Sequence, residues 1–386
     1  MNLMNGMACI HGSTRERGFT LIEVMVALAI GTFLTLGAFS VLYSSQQTQS
    51  INEQTAQTQQ NARIAMELIA ADLKDAGFNS QTMAPPGIGN CGVNGILPGD
   101  NNPLGADTGP DSISMIIPVS LSTLATQIDS APATALVDLQ AGSVAMAVAD
   151  GFATSVPYVT PLISIAGYYT GTVSAYAVDR LTLSSTVTLP KGAFMPVGTQ
   201  VYWLKCVMYR VIHAGSNAAT EQPLCGGSLP CLVRGTPPCT NAQAGPLCVP
   251  VVDGIEDLQV AYACDGCVGN EDGVIDDQVG GTANQFDAGD FVSNSAWNAG
   301  AFLPKTIRTA QVTVVARQVR TRMKGEDVSK ATAILTPAPL VIQDHNHAAG
   351  VFVAGDLGTQ TALSAYAQTQ HRVLTRVVQL KNMGLF

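Results

Sequence analysis

Cys264-Asp265-Gly266-Cys267 sets two thiols at a C-x-x-C spacing, from which either a redox pair or half of a zinc site can be built. A redox pair needs a βαβ context and a helix start to lower one thiol's pKa. Here the motif follows a predicted strand and precedes an acidic loop, so a structural disulfide is the better reading. Cys225, Cys231, Cys239 and Cys248 could complete a zinc set, but their spacings are loose for a zinc ribbon. Of nine cysteines only Cys9 stands far from the rest; Cys91 and Cys206 join the others in the body. An even set at irregular spacings among Gly/Pro-rich loops points to disulfides and an oxidising compartment, with the pairings left open.

Between Arg234 and Lys305 there is no Lys or Arg, whereas Asp253, Glu256, Asp257, Asp265, Glu271, Asp272, Asp276, Asp277, Asp287 and Asp290 are all acidic. Such a run repels itself unless it is solvated or binds cations. Asn270, Asp272 and Asp276, with Gly273 at the turn, partly resemble a calcium loop, although Val268 stands where such a loop opens on Asp. Structural calcium is therefore one expectation and a solvated acidic loop the plainer one; no other cofactor is expected. His345-Asn346-His347, beside Asp344, reads as a solvated turn rather than a metal site. Gly-x-Ser-x-Gly, Walker and His-Glu-x-x-His motifs are absent from the sequence, which argues against an enzyme.

Lys305, Arg308, Arg317, Arg320, Arg322, Lys324 and Lys330 form the complementary basic cluster. It reads as a solvated strand edge, where charge discourages aggregation. Across the 386 residues, 28 acids against 19 bases give a net charge of -9, which disfavours attraction to nucleic acid phosphates. Only 12% of residues are charged and 47% hydrophobic, which excludes a disordered chain; 37 glycines and 20 prolines predict many turns.

The element that organises the rest is N-terminal. From Phe19 to Tyr43 the only ionisable carboxylate is Glu23. As a helix this stretch would reach about 37 Å, enough to cross a hydrocarbon core of roughly 30 Å. Neither Gly nor Pro interrupts Ala38 to Ala76, and Ala62, Ala65, Met66, Ile69 and Leu73 keep helical spacing. The sequence thus predicts one helix from about Phe19 to Ala76, apolar all round in front and amphipathic behind, with Gly77 as its C-cap. A carboxylate near the start of a membrane span costs about 2.5 to 3.5 kcal/mol on an insertion scale and calls for a partner. An amino terminus created on Phe19 by a cut after Gly18 would supply one.

Arg17-Gly18-Phe19-Thr20-Leu21-Ile22-Glu23-Val24-Met25-Val26-Ala27 resembles the processing site of type IV pilins and type II secretion pseudopilins. The resemblance implies a leader over 1–18, cleavage between Gly18 and Phe19 by prepilin peptidase, N-methylation of Phe19, and Glu23 pairing with a neighbouring subunit's amino terminus during assembly. It divides the chain into a transmembrane half-helix at 19–43, an amphipathic half at 44–78 and an exported body at 79–386. Unlike many major pilins, this helix has no proline before Pro85.

The body is expected to be mostly β. A loop is predicted over 79–110, a strand over 111–117 ending at Pro118, and an inserted region of little periodicity over 120–151. Further strands are predicted at 181–189, 200–213, 258–263, 306–320 and 373–380. Residues 307–316 alternate as a half-buried strand would. The fold class is therefore α+β, a long pilin helix packed on an antiparallel sheet with disulfide-braced loops. The segments 252–262 and 372–382 are similar to recurrent segments of the PilW family of minor pilins. That resemblance implies a non-enzymatic subunit acting in pilus assembly near the fibre tip, and the sequence does not choose among twitching, adhesion and DNA uptake as the work of the pilus. Its implied partners are other minor pilins, the major pilin, the inner-membrane assembly machinery and a tip adhesin. It would reside in the inner membrane, body in the periplasm, before entering the fibre. The alternatives are a J-type minor pseudopilin of type II secretion, a pilus-mounted adhesin or ligand-binding module, and a redox protein using Cys264 and Cys267.

Overall fold

The computed structural model describes residues 18–78, 91, 95–99, 110–140, 161–177, 179–212, 225, 230–237, 248–267, 271–275, 282, 285–292, 303–317, 340–341, 351–352 and 371–383. The chain forms two compact units, Met1–Gln54 and Thr55–Phe386. The helix α1 spans Leu21–Asp75, as the uninterrupted helix-forming sequence requires.

In the first unit Phe19, Leu21, Ile22, Met25, Leu28, Phe33, Leu36 and Phe39 are all exposed, so the apolar residues cover every side of the helix. By length and composition the helix can cross a membrane. The hydroxyls of Thr32 and Thr35 donate to the carbonyls of Ala29 (2.8 Å) and Gly31 (2.9 Å), so neither adds an unsatisfied polar group.

In the second unit, Thr58, Ala62, Ala65, Met66, Ile69, Ala70 and Leu73 make a buried stripe at three- and four-residue spacing. The small Ala residues let the helix lie close to the sheets. Gly77 follows with φ +74°, a left-handed conformation that ends the helix, and its N–H donates to Ile116 O at 3.1 Å. The Asn382 side chain donates to Asp75 O (3.1 Å), satisfying a terminal carbonyl.

The strands, in chain order, are β1 (Ile96–Gly99), β2 (Ser112–Thr123), β3 (Ile128–Asp129), β4 (Thr134–Asp138), β5 (Leu162–Ile165), β6 (Tyr169–Ala177), β7 (Arg180–Val187), β8 (Phe194–Met195), β9 (Gln200–Ile212), β10 (Cys231–Gly235), β11 (Cys248–Asp253), β12 (Ile255–Cys264), β13 (Ile307–Arg317), β14 (Leu340–Val341), β15 (Val351–Phe352) and β16 (His371–Gln379). One large sheet runs β1-β2-β9-β5-β6-β7-β4, with β10 also on β9 and β11 on β10; a second runs β12-β13-β16. The pairings among the described residues are antiparallel, so the α+β expectation holds.

Two cores result. The larger joins the helix stripe to Ile113, Val207 and Tyr209 of the large sheet and to Leu258, Val260, Val312 and Val314 of the small one. The second gathers Leu121, Ile128, Val137, Ile163, Val173, Leu181, Val201 and Trp203 without helix residues.

Four expectations are corrected. The 79–110 segment holds a strand, β1, pairing Ile96 with Met115; at four residues it is too short to show a period. The strand expected to stop at Pro118 continues to Thr123. Ile116 N–H points to Gly95 O on the β1 side, so Pro118, of the same parity, faces that side past the end of β1 and costs no ladder bond. The region expected as an insertion contains the end of β2, β3 and β4, while 141–151 lies outside the described residues. Finally, β13 is not half-buried: Ile307–Ala316 is buried throughout, because the strand is central and covered on both faces.

Candidate functional site

The first candidate site is the start of α1. Thr20 and Glu23 form a reciprocal cap: Thr20 N–H and its hydroxyl both donate to Glu23 Oε2 (2.9 Å each), and Glu23 N–H donates to Thr20 Oγ1 at 3.4 Å. This is the pattern of a capping box, which satisfies amides the first turn leaves open. The carboxylate is thereby held at the helix start, facing the residues expected to become the amino terminus. Phe19 is 86% exposed, and a Cβ built on Gly18 meets no atom within contact distance. The absence of a side chain at 18 is therefore not demanded by local packing.

Cys91 pairs with Cys206, Cys225 with Cys231, and Cys264 with Cys267, with Cα separations of 5.8, 5.6 and 5.6 Å; Cys248 is also disulfide-bonded. Cys239 lies outside the described residues. The first bridge ties the approach to β1 onto β9, and Cys264 and Cys267 are 0% and 1% exposed. Paired with each other in the interior, these two neither complete a zinc set nor offer a thiol to a substrate. Gly266 between them has φ +87°, and a Cβ there would stand 2.8 Å from Glu271 Cγ and 3.0 Å from Glu271 N, so the turn needs glycine.

The acidic run and the basic cluster meet. Asp265, at the end of β12, lies 3.5 Å from Arg308 Nη2, and Glu271 bridges Arg308 (3.6 Å) and Lys305 (3.0 Å). Asp265 Oδ1 also accepts from the N–H groups of Asp272 (2.9 Å) and Gly273 (3.2 Å). Arg308 is 3% exposed, which overturns the solvated-edge expectation: on a central strand its charge is buried and needs a carboxylate. Arg317 is largely buried too. A bulge in β12 between Ile255 and Asp257 gives Glu256 an extra position, and its carboxylate reaches Arg317 Nη1 (3.4 Å) and His371 Nε2 (2.5 Å), linking three strands at one end of the sheet. Arg320, Arg322, Lys324 and Lys330 lie outside the described residues.

Of the calcium candidates, Asn270 and Asp276 lie outside the described residues, as do Asp344, His345, Asn346 and His347. Asp272 Oδ1 accepts from Val274 N–H at 2.9 Å. Further along, Asp287 accepts from Gly289 N–H (2.7 Å) and Thr282 N–H (2.9 Å), and these bonds, with that to Thr282 the largest influence, hold its carboxyl below the usual range. Asp272 and Asp287 thus cap turns, while Asp265, Glu271 and Glu256 are counter-ions to Arg308, Lys305 and Arg317. Among the described residues no cluster of three or more His, Cys, Asp or Glu is arranged to hold a metal.

Sequence reasoning missed one further cluster. Tyr209 of β9 donates to Asp72 Oδ2 (2.6 Å), and Arg234 Nε of β10 donates to the same oxygen (2.8 Å). Burial, with Asp72 alongside, pushes the Tyr209 hydroxyl well above the phenol range and keeps it a donor. An Asp on the helix with a Tyr and an Arg on distant strands leaves no local pattern to read.

Comparison with protein-family models matches residues 13–39 to the prokaryotic N-terminal methylation motif. No curated protein and no solved structure matches the chain. The matched motif, the apolar helix that begins within it and the antiparallel β body support a structural, type IV pilin-like protein of the pilin or pseudopilin type, whose signal implies processing by prepilin peptidase and assembly with pilus machinery.

Proposed function

We propose that the chain is a minor type IV pilin of the PilW kind that primes pilus assembly near the fibre tip. It is made as a prepilin, cut between Gly18 and Phe19 and methylated on the new amine. The apolar part of α1 holds it in the inner membrane, body in the periplasm, until other minor pilins and the major pilin join it. The observation that carries this reading is the methylation motif at 13–39, with Glu23 in the first turn of a helix long and apolar enough to span a membrane. The size of the body supports a tip position, since two cores and several disulfides are hard to repeat along a tightly packed shaft.

Intact mass of the protein from bacterial membranes tests the processing step: a chain beginning at methylated Phe19 is expected, and an uncut one removes the assembly argument. Deleting the body while keeping the helix tests the role. Loss of pili supports priming; intact pili that no longer attach would make the body an adhesin instead. Finding the chain along the shaft in amounts comparable to the major pilin would refute the tip position.

A further inference from the structure

The two edges of the β12-β13-β16 sheet differ. Along β12 the outward groups are closed: Leu258 O accepts from Asp111 N–H (2.7 Å), Val260 N–H donates to the Asp111 carboxylate (2.9 Å), and Tyr262 exchanges two bonds with Val292. Along β16 the alternation is fixed by Leu380 N–H, which donates to Arg308 O at 2.9 Å. Arg372, Leu374, Arg376 and Val378 therefore bond to β13, while Val373, Thr375, Val377 and Gln379 turn their N–H and C=O groups away from it. No described residue bonds to that outer row. Thr375, Val377 and Gln379 are exposed. This is a nine-residue edge whose outer row of backbone groups can pair with another chain.

The two faces of β16 differ as well. Exposed Arg372 and Arg376 share one face. On the other, Val377 borders a groove of about 490 Å³ lined by Val274, Ile275, Phe286, Thr309 and Gln379. Val274, Phe286 and Val377 are 47%, 52% and 49% exposed, a large apolar surface in one place.

We propose that β16 is a docking edge for an extended segment of a partner protein, one that alternates acidic and large apolar side chains. Its backbone completes the sheet, its acids face Arg372 and Arg376, and an apolar side chain enters the groove beside Val377. Main-chain pairing supplies affinity, and the two faces supply specificity. A second copy of this chain does not fit. In the register of full overlap, centred on Thr375, antiparallel self-pairing sets Arg372 opposite Val378 and Arg376 opposite Leu374, so neither guanidinium meets a carboxylate. The inference does not depend on processing at Gly18 or on the priming role.

The test uses the full chain in detergent micelles and three nonapeptides: alternating Val and Glu, alternating Val and Lys, and the Val/Glu composition in two blocks. The alternating Val/Glu peptide is expected to bind and to slow hydrogen exchange at Val373, Thr375, Val377 and Gln379. The Lys peptide should bind about tenfold more weakly, the size of two cross-strand charge pairs. Reversing both charges, Arg372→Glu with Arg376→Glu, should invert that preference; these side chains are exposed, so the fold is retained. The proposal is overturned by absence of binding, by equal affinity for the Glu and Lys peptides, or by protection elsewhere than at the four amides. It is also overturned if those amides already exchange as slowly as Arg376 and Val378 without peptide, since the edge would then be closed by the chain itself.

Discussion

Tyr209 Oη and Asp72 Oδ2 lie 2.6 Å apart, a bond that fastens the last turns of α1 to the long strand β9. Arg234 adds a second donor to the same oxygen and stacks over the Tyr209 ring at 5.9 Å. Replacing Tyr209 with Phe keeps the ring and removes the bond. It should cost about 1 kcal/mol of unfolding free energy, measurable by urea titration of the detergent-solubilised chain.

Arg308 and Asp265 are both buried, so removing one partner strands the other. Arg308→Ala should destabilise by about 3 to 5 kcal/mol, whereas Arg308→Met combined with Asp265→Asn should recover much of that. Equal losses in the single and the double variant would show that the pair is not the source.

These buried ions mark where sequence reading stops. Helix α1 was legible because its stripe of Ala62, Ala65, Met66, Ile69 and Leu73 repeats locally, and Gly77 is a cap only glycine fits well. β9 and β13 were legible because both are long and rich in β-formers. β1, β5, β10 and β11 were not: each has four to six residues, and several flank turns. The Gly18, Phe19 and Glu23 segment was readable because its residues are adjacent. The contacts of Arg308 with Asp265 and of Glu256 with His371 span strands, and only the sheet order brings them together.

Asp138 is held below the ordinary carboxylate range chiefly by its bond to Arg180. A depressed folded-state pKa stabilises above the unfolded value, roughly 4, and that contribution is lost as pH falls through the folded one. Asp138→Asn should therefore lower the melting temperature at pH 7, and the gap from the parent should close on acidification below about pH 4. A gap unchanged with pH would assign the effect to shape rather than charge.

The Cys264–Cys267 bridge is buried on both sulfurs. Mild reductant followed by alkylation should leave it unlabelled in the native chain and label it fully after denaturation. Rapid labelling under native conditions would revive the redox reading.

At Gly18 a Cβ is accommodated without contact. Gly18→Val should leave the melting temperature of the body unchanged while the leader stays attached, as read by intact mass. A folding defect would mean that the position serves the chain itself rather than the peptidase.

β2 and β9 pair from Ser112↔Arg210 to Thr123↔Gln200, and each lends residues to both cores: Ile113 and Tyr209 at one end, Leu121 and Val201 at the other. Neither core can melt without breaking the ladder that supports its neighbour. The two clusters are therefore expected to unfold together, in a single calorimetric transition, and a load applied at either end of the paired strands should be resisted in shear along their common length.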